Sequence, residues 1–134
     1  PDIVAVSVYK RVWDKTLTHR YFEYPFPAWF YGFLAGADKI ATGKDTIIHE
    51  LQAEPWLPPG FNMNDPKSSA EAAKSMNPAR LKDRIQYGEA TGMKTIDLWG
   101  SEYWYYRKEK LHDPGLWNVA KTAIHDAQDG TAYQ

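Results

Sequence analysis

The sequence contains no cysteine among its 134 residues, which excludes disulfide bonds, thiolate catalysis and thiolate metal sites. It has no apolar run near the roughly 20 residues that a membrane-spanning helix needs, so no membrane span is expected. Neither sign of charge is in excess, because 16 Lys and Arg oppose 17 Asp and Glu for a net charge of −1. That balance argues against a nucleic-acid partner bound by phosphate neutralisation.

Motifs that bind cofactors are also missing. Neither GxGxxG nor GxxxxGK(S/T) occurs, which disfavours nucleotide binding. The four histidines show no HxH or HExxH spacing, so no metal site is predicted and no cofactor is expected. A signal-peptide pattern is absent, and the localisation is left undetermined, secreted or cytoplasmic. The chain begins with Pro1 rather than Met, which indicates a processed product or a fragment.

What the sequence does contain is a repeated alternation of apolar strands and helices. Three runs rich in β-branched residues predict buried strands over residues 3–9, 46–51 and 94–99. One helical pattern follows the Pro25-Phe26-Pro27 segment, and three further patterns cover residues 68–76, 79–91 and 115–128. Residues 10–24 and 61–68 are interpreted as connections. The length predicts that residues 1–134 form a single domain or part of one.

Local signals mark the helix boundaries. Asn77-Pro78 places an N-cap residue before an N1 proline, and Gly43 suits the C′ position of the first helix. One apolar stripe of that first helix is predicted to face the core: Phe30, Phe33, Leu34 and Ala37. Successive strand–helix units with right-handed crossovers predict an α/β fold with a parallel sheet flanked by helices. A doubly wound open sheet and a (β/α)8 barrel, which needs about 250 residues, both begin this way.

Tryptophan is abundant, with six in this short chain, and four of the six lie at or after predicted strand ends. Chemistry in barrels and open α/β sheets sits beyond the carboxyl ends of the strands. Trp and Tyr rings offer large, stiff apolar faces with a polar edge, which suits stacking on sugars. We therefore predict a carbohydrate site with these substrate-binding residues: Trp13, Trp56, Trp99, Glu102 and Trp104.

Glu50, near the end of the second predicted strand, is the candidate catalytic carboxylate. At a barrel mouth it would serve as a nucleophile or general acid in glycoside hydrolysis, and the alternative is a solvated or salt-bridged glutamate. Tyr9 ends the first strand and either packs as an aromatic or donates a hydrogen bond that holds Glu50 ionised. Glu54, beside Pro55, is interpreted as a partner in a loop salt bridge.

The strand ends resemble those of clan A glycoside hydrolases, the retaining (β/α)8 enzymes with catalytic glutamates on strands four and seven. Residues 2–9 followed by Trp13 look like the sixth strand, residues 46–50 like the seventh, and residues 96–99 like the eighth. Residues 50–56 and 98–106 resemble a group of bacterial, cellulase-like glycosidases. The resemblance covers nearly all of the chain, as the C-terminal three βα units of a TIM barrel.

The resemblance implies a role for each matching residue. Glu50 would be the nucleophile, Tyr9 would orient it, and Trp99 would form the floor of the subsite that binds the reacting sugar. The acid/base glutamate of the clan follows an Asn on strand four, and no Asn-Glu pair occurs here. The implied reaction is retaining hydrolysis of a β-linked oligo- or polysaccharide, with only the nucleophile half of the site in this chain. The remaining barrel strands would come from an N-terminal segment or a partner chain.

Two other functions fit the same residues. A non-catalytic carbohydrate-binding domain would use the same aromatic rings, with Glu50 as a hydrogen-bond partner of a sugar hydroxyl. A self-associating part-barrel would pair the open edges of its sheet with another copy.

Overall fold

The computed structural model describes residues 2–130, which form strands and α-helices in a mixed order. The strands are β1 Ile3–Val8, β2 Arg11–Asp14, β3 Arg20–Glu23, β4 Asp45–Gln52 and β5 Ile96–Trp99. The helices are α1 Ala28–Thr42, α2 Ser69–Ser75, α3 Pro78–Glu89, α4 Ser101–Lys110 and α5 Gly115–Gln128. A 3-10 turn, Pro66–Ser68, leads into α2. Residues 131–134 lie outside the described residues.

Strands β1, β4 and β5 form a parallel three-stranded sheet in that order. The predicted parallel sheet flanked by helices is therefore confirmed. Its outer strands, β1 and β5, have no further strand beside them among residues 2–130, and the sheet does not close into a barrel within that range. The register along β1 and β4 shifts once: Val6 lies opposite Ile48, whereas Ser7 lies opposite Glu50.

One face of this sheet packs against helices and the other face is open. On the covered face, Val8, Ile48 and Leu51 are at most 1% exposed and form a cluster with Met93. A second cluster joins the helices, with these members among others: Met76, Leu81, Tyr103, Trp104 and Leu116. The open face carries exposed side chains of all three strands, which are Ser7, His49 and Asp97.

Helix α1 is confirmed, including the end at Gly43, whose φ of 75° is the left-handed conformation expected of a C′ glycine. The predicted core face of α1 is wrong. Tyr31 and Ala35 pack on the sheet cluster, whereas Phe33 is 64% exposed and Leu34 is 46% exposed. The reason is the close packing at Gly32, where a Cβ atom would overlap the Thr91 carbonyl oxygen in the loop after α3. The face of α1 that includes Gly32 is therefore the one that packs against this loop.

Two segments outside the predicted strands and helices are regular structure. Within residues 10–24, strands β2 and β3 pair as an antiparallel hairpin. At its turn the Asp14 carboxylate accepts from the backbone N–H groups of residues 16–18, and these bonds lower the Asp14 pKa. After β5, the aromatic run is helix α4, because Tyr103 and Trp104 pack into the helix cluster at 4% exposure each.

Candidate functional site

The site begins with the Glu50 carboxylate near the end of β4. The Ser7 hydroxyl donates a hydrogen bond to Glu50 Oε2 at 3.1 Å, and the Tyr9 hydroxyl donates to the same oxygen at 3.2 Å. The register shift after Val6 produces this arrangement, since it places Ser7 directly opposite Glu50. Glu50 Oε1 has no hydrogen-bond partner among residues 2–130. One carboxylate oxygen is thus held by two neutral donors and the other is free.

The surroundings of Tyr9 shift the pKa of its hydroxyl. Burial raises the Tyr9 pKa to about 12, and the Glu50 charge, the hydrogen bond to Glu50 and the Glu54 charge all act in the same direction. A phenol with this pKa stays protonated at neutral pH, so it donates to Glu50 rather than competing for the proton. The predicted contact between Tyr9 and Glu50 is present, while its catalytic role stays a prediction.

Two exposed tryptophans lie at this end of the sheet, one against Tyr9 and one at the end of the neighbouring strand. The Trp56 ring meets the Tyr9 ring edge to face, with centroids 5.5 Å apart and planes at 82°. Trp56 is 44% exposed and Trp99, at the end of the adjacent strand β5, is 47% exposed. Large indole faces that remain open to solvent next to a carboxylate are suited to stacking on a sugar.

Glu54 is a site residue that the sequence interpretation missed. Among residues 2–130 it forms no salt bridge, and it is hydrogen-bonded to the Trp99 side chain. Burial raises the Glu54 pKa, the hydrogen bond from Trp99 opposes that rise, and the Glu102 charge adds to it. The signal that could have identified Glu54 is its position just beyond β4, immediately before Pro55. Glu102 itself is exposed in the first turn of α4.

Two of the predicted substrate-binding tryptophans lie elsewhere. Trp104 is only 4% exposed, and its indole N–H donates to the Ala53 carbonyl oxygen at 2.7 Å. This placement corrects the expectation for Trp104, because a ring with no open face cannot stack on a sugar. Trp13 lies on the hairpin, where it packs edge to face on Tyr21 and lines a separate groove. The structure therefore places Trp56 against Tyr9, and Trp99 and Glu102 near Glu54, whereas Trp104 lies in the core.

Gln52 connects the site to the hairpin and was not singled out from the sequence. Its side chain is fully buried. Its carboxamide oxygen accepts from the Lys10 and Arg11 backbone N–H groups at 3.1 and 2.9 Å, and its amide nitrogen donates to the Arg11 carbonyl at 2.6 Å. A buried glutamine that satisfies three backbone groups fixes the path of the chain just after Tyr9.

Gly100 determines how β5 leads into α4. Its φ is 153°, and a Cβ atom at this position would lie 2.5 Å from the Ala53 carbonyl oxygen. Only glycine allows this approach, which brings the start of α4 against the segment that carries Glu54. The contact thereby holds Glu102 near Glu54.

Residues 2–130 contain no group of three or more His, Cys, Asp or Glu side chains placed to hold a metal ion. His49 and Asp97 face each other on the open side of the sheet, with Nδ1 and Oδ2 3.3 Å apart. In the described part of the chain no helix combines the length and apolarity needed to cross a membrane. Comparison of the sequence with protein-family models and curated proteins, and of the structure with solved structures, finds no match.

Proposed function

We propose that this chain carries the nucleophile half of a retaining glycoside hydrolase site, with Glu50 as the nucleophile. The observation that supports this proposal best is the geometry of Glu50: Ser7 and Tyr9 hold Oε2, while Oε1 has no partner in the described chain. Nucleophilic catalysis requires a carboxylate that is oriented yet has one oxygen free to attack.

The proposed reaction is a double displacement on a β-linked sugar. Glu50 Oε1 attacks the anomeric carbon, the bond to the leaving oxygen breaks, and a glycosyl ester forms. A second carboxyl group donates a proton to the leaving oxygen and then removes one from the water that hydrolyses the ester. In retaining enzymes the two carboxyl groups lie about 5–5.5 Å apart. We assign the second carboxyl to further barrel strands, from an N-terminal segment or a partner chain.

Each neighbouring residue has a proposed part in this reaction. Tyr9 holds the Glu50 carboxylate in a fixed orientation, because its raised pKa keeps the phenol protonated as a hydrogen-bond donor. Trp99 and Trp56 supply exposed apolar faces for the substrate. Glu54, held by Trp99, accepts or donates a hydrogen bond to a sugar hydroxyl.

The experiment is covalent labelling with 2-deoxy-2-fluoro-β-glycosides that carry a dinitrophenolate leaving group. Such a leaving group departs without protonation, so the assay does not require the second carboxyl. A panel of gluco, galacto, manno and xylo reagents covers the undetermined sugar. We expect one sugar mass on the peptide that contains Glu50, and none in Glu50→Gln.

Glu102→Gln is the matched control, since it removes a nearby exposed carboxylate and should label as the parent chain does. Tyr9→Phe should label more slowly, because Glu50 loses a donor that orients it. A label on Glu54 or Glu102 with Glu50 unmodified contradicts the proposal, and so does the absence of label with every reagent in the panel.

A non-catalytic carbohydrate-binding function is the second candidate, favoured by the open rings of Trp56 and Trp99. Both functions predict oligosaccharide binding that survives Glu50→Gln and is lost in Trp99→Ala. They differ in the labelling experiment, because a binding domain forms no glycosyl ester. Self-association through the β1 and β5 edges is measured separately by light scattering.

A further inference from the structure

Helix α1 is apolar on nearly every side, although the described chain covers only part of it. Its 15 residues include two charged ones, Asp38 and Lys39. Trp29 is 67% exposed, Phe33 is 64% exposed and Ile40 is 90% exposed. A helix that is apolar all round is normally buried on all sides. The sequence of α1 therefore fits a partner in addition to the sheet on which it packs.

The exposed side of α1 carries one continuous row of residues, which we call the α1 stripe: Trp29, Phe33, Gly36 and Ile40. Their spacing of four, three and four residues keeps them within about 60° around the helix axis. This spacing is the 3.5-residue repeat with which one helix packs along another. The stripe contains no charged residue. The pattern indicates that the partner is itself a helix.

Gly36 is the member of the stripe that the packing of its own chain does not explain. It has no positive φ, since the positive-φ glycines lie elsewhere in the chain. A Cβ atom at Gly36 would meet no described group within 4 Å, in contrast to Gly32 on the packed side of the same helix. Glycine is a poor residue for a helix interior, so a glycine in open space suits the close approach of a group outside the chain.

A second copy of α1, running antiparallel, matches the stripe in side-chain size. A two-fold axis between residues 34 and 35 sets Phe33 opposite Gly36 of the second copy, and Trp29 opposite Ile40 of the second copy. Each copy then inserts a phenylalanine ring where the other has no side chain. Parallel helices would instead set glycine against glycine and indole against indole, which leaves a gap beside an overlap. The size pattern therefore favours an antiparallel pair of identical helices.

The area of the stripe determines how strong such a pair can be. With about 150–250 Å² for an aromatic side chain, the exposed fractions of Trp29, Phe33 and Ile40 amount to roughly 450 Å² per copy. Two copies would bury roughly 900 Å², which is more than most crystal contacts bury and less than the roughly 1,200 Å² of standard stable complexes. The area predicts a weak, reversible dimer.

We propose that two copies of this chain associate through the α1 stripe as an antiparallel, two-fold symmetric helix pair. The contact does not use the edges of the sheet, so it differs from the association of part-barrels through β1 and β5. It does not involve the chemistry of Glu50 either. The labelling experiment on Glu50 and the dimer are therefore tested independently.

The test is sedimentation equilibrium of the full chain from about 1 μM to about 1 mM, the range in which a weak interface dissociates. We expect the average mass to rise from that of one chain to that of two and no further. Ile40→Glu should weaken the dimer by about 10-fold or more, because the symmetry applies the change twice. Leu17→Glu is the matched control, since Leu17 is 86% exposed on the hairpin turn and the new charge is the same.

Gly36→Leu separates a fitted contact from general apolar adhesion. Leucine enlarges the apolar surface of the stripe, so adhesion without a defined geometry predicts tighter association. The proposed pair predicts weaker association, because leucine fills the space that Phe33 of the second copy occupies. Circular dichroism of each variant confirms an unchanged fold before the affinities are compared.

The antiparallel register is tested by mixing two variants. Trp29→Arg and Ile40→Glu should each associate poorly alone. In the antiparallel pair their mixture keeps one native contact between Trp29 and Ile40 and sets the new arginine against the new glutamate, so the mixture should associate more tightly than either variant. A parallel pair gains neither contact.

Four results would overturn the proposal. The chain could stay monomeric over the whole range, or its mass could grow beyond two copies, as association through the sheet edges predicts. Ile40→Glu could behave as Leu17→Glu does, which assigns the contact to another surface. Gly36→Leu could tighten the dimer, or the mixed variants could associate no better than each alone, and either result contradicts the fitted antiparallel pair.

Discussion

Replacing Gln52 with leucine should detach the hairpin from the sheet while leaving the sheet itself intact. Gln52 is fully buried and satisfies three backbone groups of Lys10 and Arg11. Leucine has a similar size but no hydrogen-bonding group. The substitution therefore leaves two N–H groups and one carbonyl without partners at the point where the hairpin begins.

The size of the effect follows from those three groups. A backbone group left unsatisfied costs about 1–3 kcal/mol, and the lower end applies here because Lys10 and Arg11 are only half-buried. The sum is about 3 kcal/mol, of which the better burial of leucine offsets about 1 kcal/mol. A net loss of about 2 kcal/mol corresponds to a fall in Tm of roughly 6–10 °C for a chain of this size.

Urea denaturation of the parent chain and Gln52→Leu measures this loss directly. Gln86→Leu, an exposed glutamine on α3, is the control and should change stability by no more than about 0.5 kcal/mol. Amide hydrogen exchange adds a local readout: β2 and β3 should lose protection while β4 keeps it. If Gln52→Leu is as stable as the control and exchange in β2 and β3 is unchanged, the role assigned to Gln52 is refuted.

Two further substitutions, Gly100→Ala and Glu54→Gln, test the end of the sheet that carries Glu50, and Gly36→Ala is the control for the first. Gly100→Ala should lower the free energy of unfolding by about 3 kcal/mol, because a side chain at φ 153° is strained and would overlap the Ala53 carbonyl. Gly36→Ala should raise it by about 0.5–1 kcal/mol, because the added Cβ atom meets open space on a helix. Urea titration should rank them in that order, and a tolerated alanine at position 100 would contradict the close approach. Burial raises the Glu54 pKa above its ordinary value of 4.5, so the chain loses stability as pH rises through that pKa. Glu54→Gln keeps an acceptor for the Trp99 indole and removes the charge. Its Tm should therefore exceed that of the parent chain at pH 7 and match it near pH 4. A lower Tm of the variant at pH 7 would count against this interpretation.

The parts of the fold that were predicted correctly are those with local causes. Runs of β-branched residues identified the three parallel strands. The Asn77 side chain caps α3 by accepting from the Arg80 N–H at 3.0 Å, as its position before Pro78 indicated. A left-handed Gly43 ends α1. Each of these features depends on a few consecutive residues, so the sequence alone contains the information.

One error concerns which of two apolar surfaces of α1 is buried. Helix α1 carries two overlapping apolar stripes, and the one that packs contains Tyr31 and Ala35 rather than Phe33 and Leu34. The choice depends on how closely Gly32 approaches the loop after α3. No property of the α1 sequence contains that distance.

The site shows the same division between local and distant causes. Sequence position alone determined that Tyr9 and Glu50 stand at the ends of neighbouring apolar strands, and that aromatic residues follow those strands. Only the tertiary structure decided that a register shift sets Ser7 against Glu50, and that Trp104 is buried while Trp99 is open. Strand and helix formation depends on side chains close in sequence, whereas register and burial depend on contacts across 40 residues or more, as between Ser7 and Glu50.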